Sequence, residues 1–235
     1  MTATRVQKFQ AMGFDSSHLV TLEASVHLCV ETANALARLQ ARGRAAGFEI
    51  SIASAHRSYQ RQLLIFNHKA EGLRTVCDDE GAVLSRDALS DLDWLHAILR
   101  YSALPGTSRH HWGSDIDVFD RAAVSPDYVL QLVPTEYQAG GPFFAMSTWL
   151  TDLIARDDAE GFFRPYARDS GGVAPELWHL SYRSDANSMA DALDEALLAA
   201  AWHNKLSRFD VEPLALNALI EAHLPAIRSR YWLLD

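Results

Sequence analysis

The chain has 235 residues, 49% hydrophobic and 22% charged, an ordinary balance for a globular protein. No stretch approaches the ~20 consecutive apolar residues of a membrane-spanning helix. A formal charge of −9 and an isoelectric point near 5.5 argue against nucleic acid or an anionic membrane as the main partner, though they leave room for a local basic pocket. Two cysteines, Cys29 and Cys77, are too few for a disulfide framework.

From the start of the chain, residues 1–14 carry Arg5 and Lys8 but no apolar run or small-residue cleavage site after them. With Met1 taken as native, no secretory signal is expected, and the expected location is the cytoplasm. Leu19, Leu22, Val26, Cys29, Val30, Ala33, Leu36 and Ala37 recur at helical spacing, which predicts a long first helix over 17–46, stopped by Gly47. Cys29 falls on its apolar side, as a small core residue. Residues 48–53 alternate and carry β-branched residues, so they read as a strand. Ser58 can cap a helix over 59–70 with Leu63, Leu64 and Phe66 on or near its buried side. After a polar stretch, Leu89, Leu92, Leu95, Ile98 and Leu99 form the apolar stripe of a helix over 87–101, which Leu104-Pro105-Gly106 ends. A short strand is expected over 115–119, a helix over 143–155, a strand over 177–182, and two closing helices over 186–203 and 211–223. Helices around short strands imply one α+β domain with a small antiparallel sheet.

Three separated segments are dense in polar residues where strand ends or loops are expected: 54–62, 108–117 and 175–182. The second and third supply imidazoles and carboxylates that can converge on a divalent metal. A catalytic zinc takes three protein ligands from His, Asp, Glu or Cys and keeps a fourth position for water. His110, Asp117 and His179 meet that requirement. Gly113 lets the chain turn after His110 before Asp117 returns on a strand. Glu176, three residues before His179, can reach a metal-bound water without binding the metal. Isolated histidines are more often ordinary structural residues, and His18, His27, His68, His96, His203 and His223 are set aside on that ground.

At these residues the chain resembles the zinc D-alanyl-D-alanine carboxypeptidases of the VanY type, whose metal-site fold is shared with the Hedgehog signalling domain. The family pattern Ser-x-His-x-x-Gly-x-x-x-Asp falls on Ser108, His110, Gly113 and Asp117, and Glu-x-Trp-His falls on Glu176, Trp178 and His179. An Arg-Ser-Tyr element falls on Arg57, Ser58 and Tyr59, with the family's glutamine at Gln62. The likeness covers about 48–182 and keeps the three elements in order.

This resemblance implies a Hedgehog/DD-peptidase-like zinc site and hydrolysis of a peptidoglycan stem peptide or muropeptide. Zinc would lower the pKa of its water to about 7 and polarise the scissile carbonyl. Glu176 would act as the base and Arg57 would stabilise the oxyanion. Gln62 and Ser108 would hydrogen-bond the substrate backbone or its terminal carboxylate, and Trp178 would pack beneath the site. The sequence departs from the pattern at three places. Asp115 replaces a small residue and is expected to accept a hydrogen bond from a ligand histidine, or else to be the ligand itself. His56 replaces an aromatic residue and is expected to add a substrate contact, while His111 should point elsewhere. In the cytoplasm such an enzyme meets pentapeptide precursors and recycled fragments, which favours an L,D-carboxypeptidase acting on recycled tetrapeptides. A D,D-carboxypeptidase, a secreted lytic endopeptidase and a non-catalytic zinc-binding module stand as alternatives; a base beside an open metal position speaks against the last.

Overall fold

The structure, a computed structural model, describes residues 3–23, 26–206, 209 and 212–232. Its first elements are helix α1 (Arg5–Ala11), strands β1 (Leu19–Glu23) and β2 (Val26–Cys29), and helix α2 (Val30–Ala45). The expected helix over 17–46 is therefore a hairpin followed by a shorter helix. Short aliphatic runs satisfy both periodicities, so the register of pairing decides. Here Leu19 pairs with Cys29 in an antiparallel ladder, and the Cys29 N–H bonds the Gly113 carbonyl at 2.9 Å. Cys29 remains a small buried residue, but at a strand end, where burial pushes its thiol pKa up to about 12.

Strand β3 (Ile50–Ser54) leads to helix α3 (Tyr59–Ala70), whose Ser58 cap accepts from the Arg61 N–H as expected. Helix α4 (Asp91–Leu99) is shorter than expected, because Ser90 caps it and a separate 3-10 turn occupies Arg86–Ala88. Strand β4 (Asp115–Asp120), helices α5 (Pro134–Tyr137) and α6 (Phe144–Ala155), and strands β5 (Phe162–Phe163) and β6 (His179–Tyr182) follow. The closing region forms α7 (Arg183–Ala190), α8 (Glu195–Trp202), α9 (Asn217–Ala222) and α10 (Leu224–Tyr231). One expected helix over 186–203 is split where Asp194 caps α8 by accepting from the Leu197 N–H. Val211, the expected start of the last helix, lies outside the described residues. Pro225 lies in the first turn of α10, where a missing N–H costs nothing.

The main sheet is antiparallel in the order β3-β4-β6-β5. Alternation gives its central strands two different faces. Ile116, Val118 and Leu180 join Leu36 and Leu39 of α2 and Leu150 of α6 in one buried cluster. Asp115, Asp117, His179 and Ser181 take the opposite face. A second, helical cluster is built from residues of α3, α4 and the closing helices, among them Phe66, Trp94, Leu95, Ile98, Trp202 and Ile227. The polar strand face is supported from behind by the first cluster. Leu39→Ala should lower the unfolding free energy by roughly 2–5 kcal/mol in urea melts. Leu73→Ala, at a side chain 71% exposed, should change it by less than about 0.5 kcal/mol.

Candidate metal centre and active site

The β4–β6 register sets Asp117 opposite His179 and Asp115 opposite Ser181. Asp115 and Asp117 lie two residues apart on one strand face, so both carboxylates reach the same imidazole. Asp115 Oδ1 lies 2.9 Å from His179 Nε2, and Asp117 Oδ1 lies 3.1 Å from His179 Nδ1. His110 arrives on a single-turn 3-10 helix, Arg109–His111. Its Nδ1–H donates to the Ala55 carbonyl at 3.0 Å, which leaves the Nε2 lone pair 3.4 Å from Asp117 Oδ2. Gly113, at φ +75°, turns the chain into β4; an added Cβ there would meet Leu19 at 2.3 Å. One ligand atom from each of His110, Asp117 and His179 lies within 4.8 Å of the other two.

Asp115 is held from every side. Arg109 Nε donates to Oδ1 at 2.9 Å, and the Ser114 and Ser181 hydroxyls donate to Oδ2 at 2.5 and 3.1 Å. Arg109 also donates to Ser181 Oγ, and its guanidinium sits 4.5 Å from the centre of the Trp112 ring. Burial pushes the Asp115 pKa up, but the Arg109 charge and the hydrogen bond from His179 outweigh it, and the net shift is downward. For His179, burial disfavours the charged ring, yet the hydrogen bond to Asp115 and the adjacent carboxylates of Asp117 and Glu176 raise its pKa well above the ordinary histidine value. A cation at Nδ1 would take the place of that proton. Asp115 thus fills the role of acceptor for a candidate ligand histidine, and is not itself among the converging metal-binding atoms.

Whether a metal fits can be read from the hydrogen bonding. Asp117 Oδ1 and His179 Nδ1 face each other at 3.1 Å in the buried site, yet neither has an aligned hydrogen bond. A buried carboxylate oxygen and ring nitrogen left unbonded side by side are costly unless a cation serves both. Two imidazoles and one carboxylate are a zinc donor set with an open position. Glu176 Oε2 stands 3.4 Å from His179 Nδ1, and the Glu176 N–H is fixed by the Tyr166 carbonyl at 2.9 Å.

These groups open onto a cavity of about 380 Å3, lined also by Arg57, Ser108, Tyr166 and Trp178. Arg57 donates to Gln62 Oε1 at 2.8 Å, and burial pulls its pKa down against the charges of Asp117 and Glu176. Gln62 departs from expectation. It is fully buried, its Nε2 donates to the Ala103 carbonyl at 2.7 Å, and it does not line the cavity. Both ends of its amide are engaged, with Arg57 and with the Ala103 carbonyl. His56 does not line the cavity either; burial pushes its pKa down to about 4. His111 points away, accepting from the Gly106 N–H and donating to the Arg57 carbonyl. Trp178 packs against Tyr137, with ring centres 5.4 Å apart. Arg109 carried no role in the sequence reading, because its partners Asp115 and Ser181 lie on different strands.

A fold and site of this kind place the protein among the metal-dependent hydrolases. Residues 25–185 match the profile of VanY, D-alanyl-D-alanine carboxypeptidase. The chain belongs to that family, whose members are zinc metallopeptidases acting on peptidoglycan peptides. An uncharacterized protein of Haemophilus influenzae is 32% identical over 130 residues, 54% of this chain and 92% of the relative. Among solved structures, the vancomycin resistance D,D-pentapeptidase VanY in complex with Zn(II) shares the fold at TM-score 0.50 and 19% identity, covering 76% of this chain and 86% of that one. The LD-carboxypeptidase LdcB does so at TM-score 0.50 and 20% identity, covering 77% of each chain.

Since Asp115 orients His179, Asp115→Asn should weaken zinc binding by about 10- to 100-fold in a chelator competition. An affinity equal to that of the parent protein would remove Asp115 from the metal centre.

Proposed function

We propose that this protein is a zinc carboxypeptidase releasing the terminal D-alanine of peptidoglycan stem peptides, and that its substrate is a recycled tetrapeptide cut in the cytoplasm. The observation that carries the reading is the convergence of His110, Asp117 and His179 with Glu176 beside them. His110 Nε2, one Asp117 oxygen and His179 Nδ1 would hold the ion. When bound, zinc supplies Lewis acidity that polarises the scissile carbonyl and acidifies water.

The chain's own residues do the rest. Glu176 takes a proton from the attacking water and returns it to the departing amine nitrogen. Arg57, oriented by Gln62, donates to the oxyanion that forms on attack. Ser108, buried at the cavity wall, offers a hydroxyl to the substrate. The L,D preference follows from the proposed location. Trimming pentapeptide precursors in the cytoplasm would remove the donor needed for crosslinking, whereas trimming recycled tetrapeptides returns tripeptide for reuse. The fold shared with an LD-carboxypeptidase supports this reading. The family's description as D-alanyl-D-alanine carboxypeptidases favours a second one, D,D cleavage of peptides ending in D-Ala-D-Ala.

Zinc-loaded protein incubated with defined tetra- and pentapeptides should release D-alanine from the tetrapeptide, as read by mass spectrometry. Release from the pentapeptide alone would establish the D,D reading. Glu176→Ala should keep its zinc and lose about 100-fold or more in turnover; undiminished turnover would refute its assignment as the base.

A further inference from the structure

The cavity carries more positive charge than the hydrolytic chemistry uses. Asp117 and Glu176 are the carboxylate residues that line it, and together they match the two charges of a bound zinc ion. Arg57, Lys69 and Arg74 line it as well. Among the described residues, none of these three forms an ion pair with a carboxylate. Arg57 donates to Gln62 and Ser54, and Lys69 donates to the Ser102 hydroxyl at 2.8 Å. Arg109, by contrast, is matched by Asp115. In a chain of net charge −9, three uncompensated cations around one cavity make a local field for anions.

These cations differ in depth, Arg57 and Lys69 being half-buried and Arg74 exposed. The Arg57 N–H bonds the His110 carbonyl at 2.9 Å, so Arg57 stands beside the candidate ligands. Lys69 lies in the last turn of α3, seven residues past Gln62, or about 10 Å along the helix. Burial and the nearby Arg74 and Arg57 charges push its pKa down to about 8, against the opposing charge of Glu176. Arg74 follows α3 and is exposed while still lining the cavity. A carboxypeptidase keeps one residue beyond the scissile bond, so the rest of the peptide runs toward the mouth. Arg74, exposed on the cavity lining, lies on the side where that upstream part of the peptide would pass.

We propose that Lys69 and Arg74 form a specificity site for a second substrate carboxylate, upstream of the scissile bond, which selects stem peptides with free over amidated side carboxylates. This assignment rests on the reading of the protein as a stem-peptide carboxypeptidase. Terminal carboxylate and oxyanion are left to Arg57 and Ser108, and the remaining cations take the upstream acid.

The test uses two tetrapeptides that differ only in their upstream side carboxylates, free acids in one and primary amides in the other. Full-length, zinc-loaded protein should show kcat/KM about tenfold higher for the acid, with the difference in KM. Lys69→Met and Arg74→Met should each abolish most of that preference. Arg74 is exposed, so its variant keeps the test decisive if Lys69→Met fails to fold. Equal rates on both peptides, or a preference intact in the Arg74 variant, would overturn the site while leaving D-alanine release to support the carboxypeptidase reading. Variants that lose discrimination against a C-terminal amide, yet keep the upstream preference, would also overturn it by assigning the pair to the terminal carboxylate. Release of D-alanine from neither peptide would overturn the inference together with the reading beneath it.

Discussion

The arrangement depends on the hold of Asp115 on His179. An imidazole has two nitrogens, and a metal site needs one of them free and correctly aimed. Asp115 engages Nε2 at 2.9 Å, and so turns Nδ1 toward Asp117 and Glu176. The hold works because the β4–β6 ladder places Asp115, Asp117 and His179 on one strand face, and because Arg109, Ser114 and Ser181 keep Asp115 ionised where no water reaches it. At His110 a backbone carbonyl does the same task, Ala55 accepting from Nδ1. Both rings are aimed by groups that do not touch the cavity's reacting centre.

A site so dense in charge needs rigid backing. Its strands present aliphatic side chains to α2 and α6 on one side and carboxylates on the other. The β1–β2 hairpin adds a further brace, since the Cys29 N–H holds the Gly113 carbonyl at the turn between His110 and Asp117. Gln62 extends the same logic to Arg57, a buried amide that fixes a guanidinium at 2.8 Å. The electrostatics follow from this scaffold. An acidic chain encloses a cavity in which Arg57, Lys69 and Arg74 are left without carboxylate partners among the described residues, so the surface repels anions that the cavity attracts.

Much of this was legible before any coordinates. Ser58 and the apolar spacing behind it marked α3 to the residue, because a capped amphipathic helix is specified locally. His110, Asp117, His179 and Glu176 stood out because metal ligation demands particular residue types at short spacings. The hairpin at β1 and β2 did not stand out. Leu19, Leu22 and Val26 fit a helical period, and only their docking on the Gly113 turn selects the strand pairing. The resemblance assigned Gln62 a substrate contact, and only the structure shows that its amide oxygen accepts from Arg57.

The sequence by itself determined the chemistry available: which nitrogens and oxygens can bind a metal, which carboxylate stands beside them, and which helices and strands carry them. Those properties reside in residue type and local spacing. Tertiary structure alone decided which nitrogen of each histidine faces the candidate metal, that Asp115 supports the site without joining it, that Arg109 pairs with Asp115, and that three cations share one cavity. Each depends on segments dozens of residues apart meeting in a particular strand register, and register is set by which face the core buries.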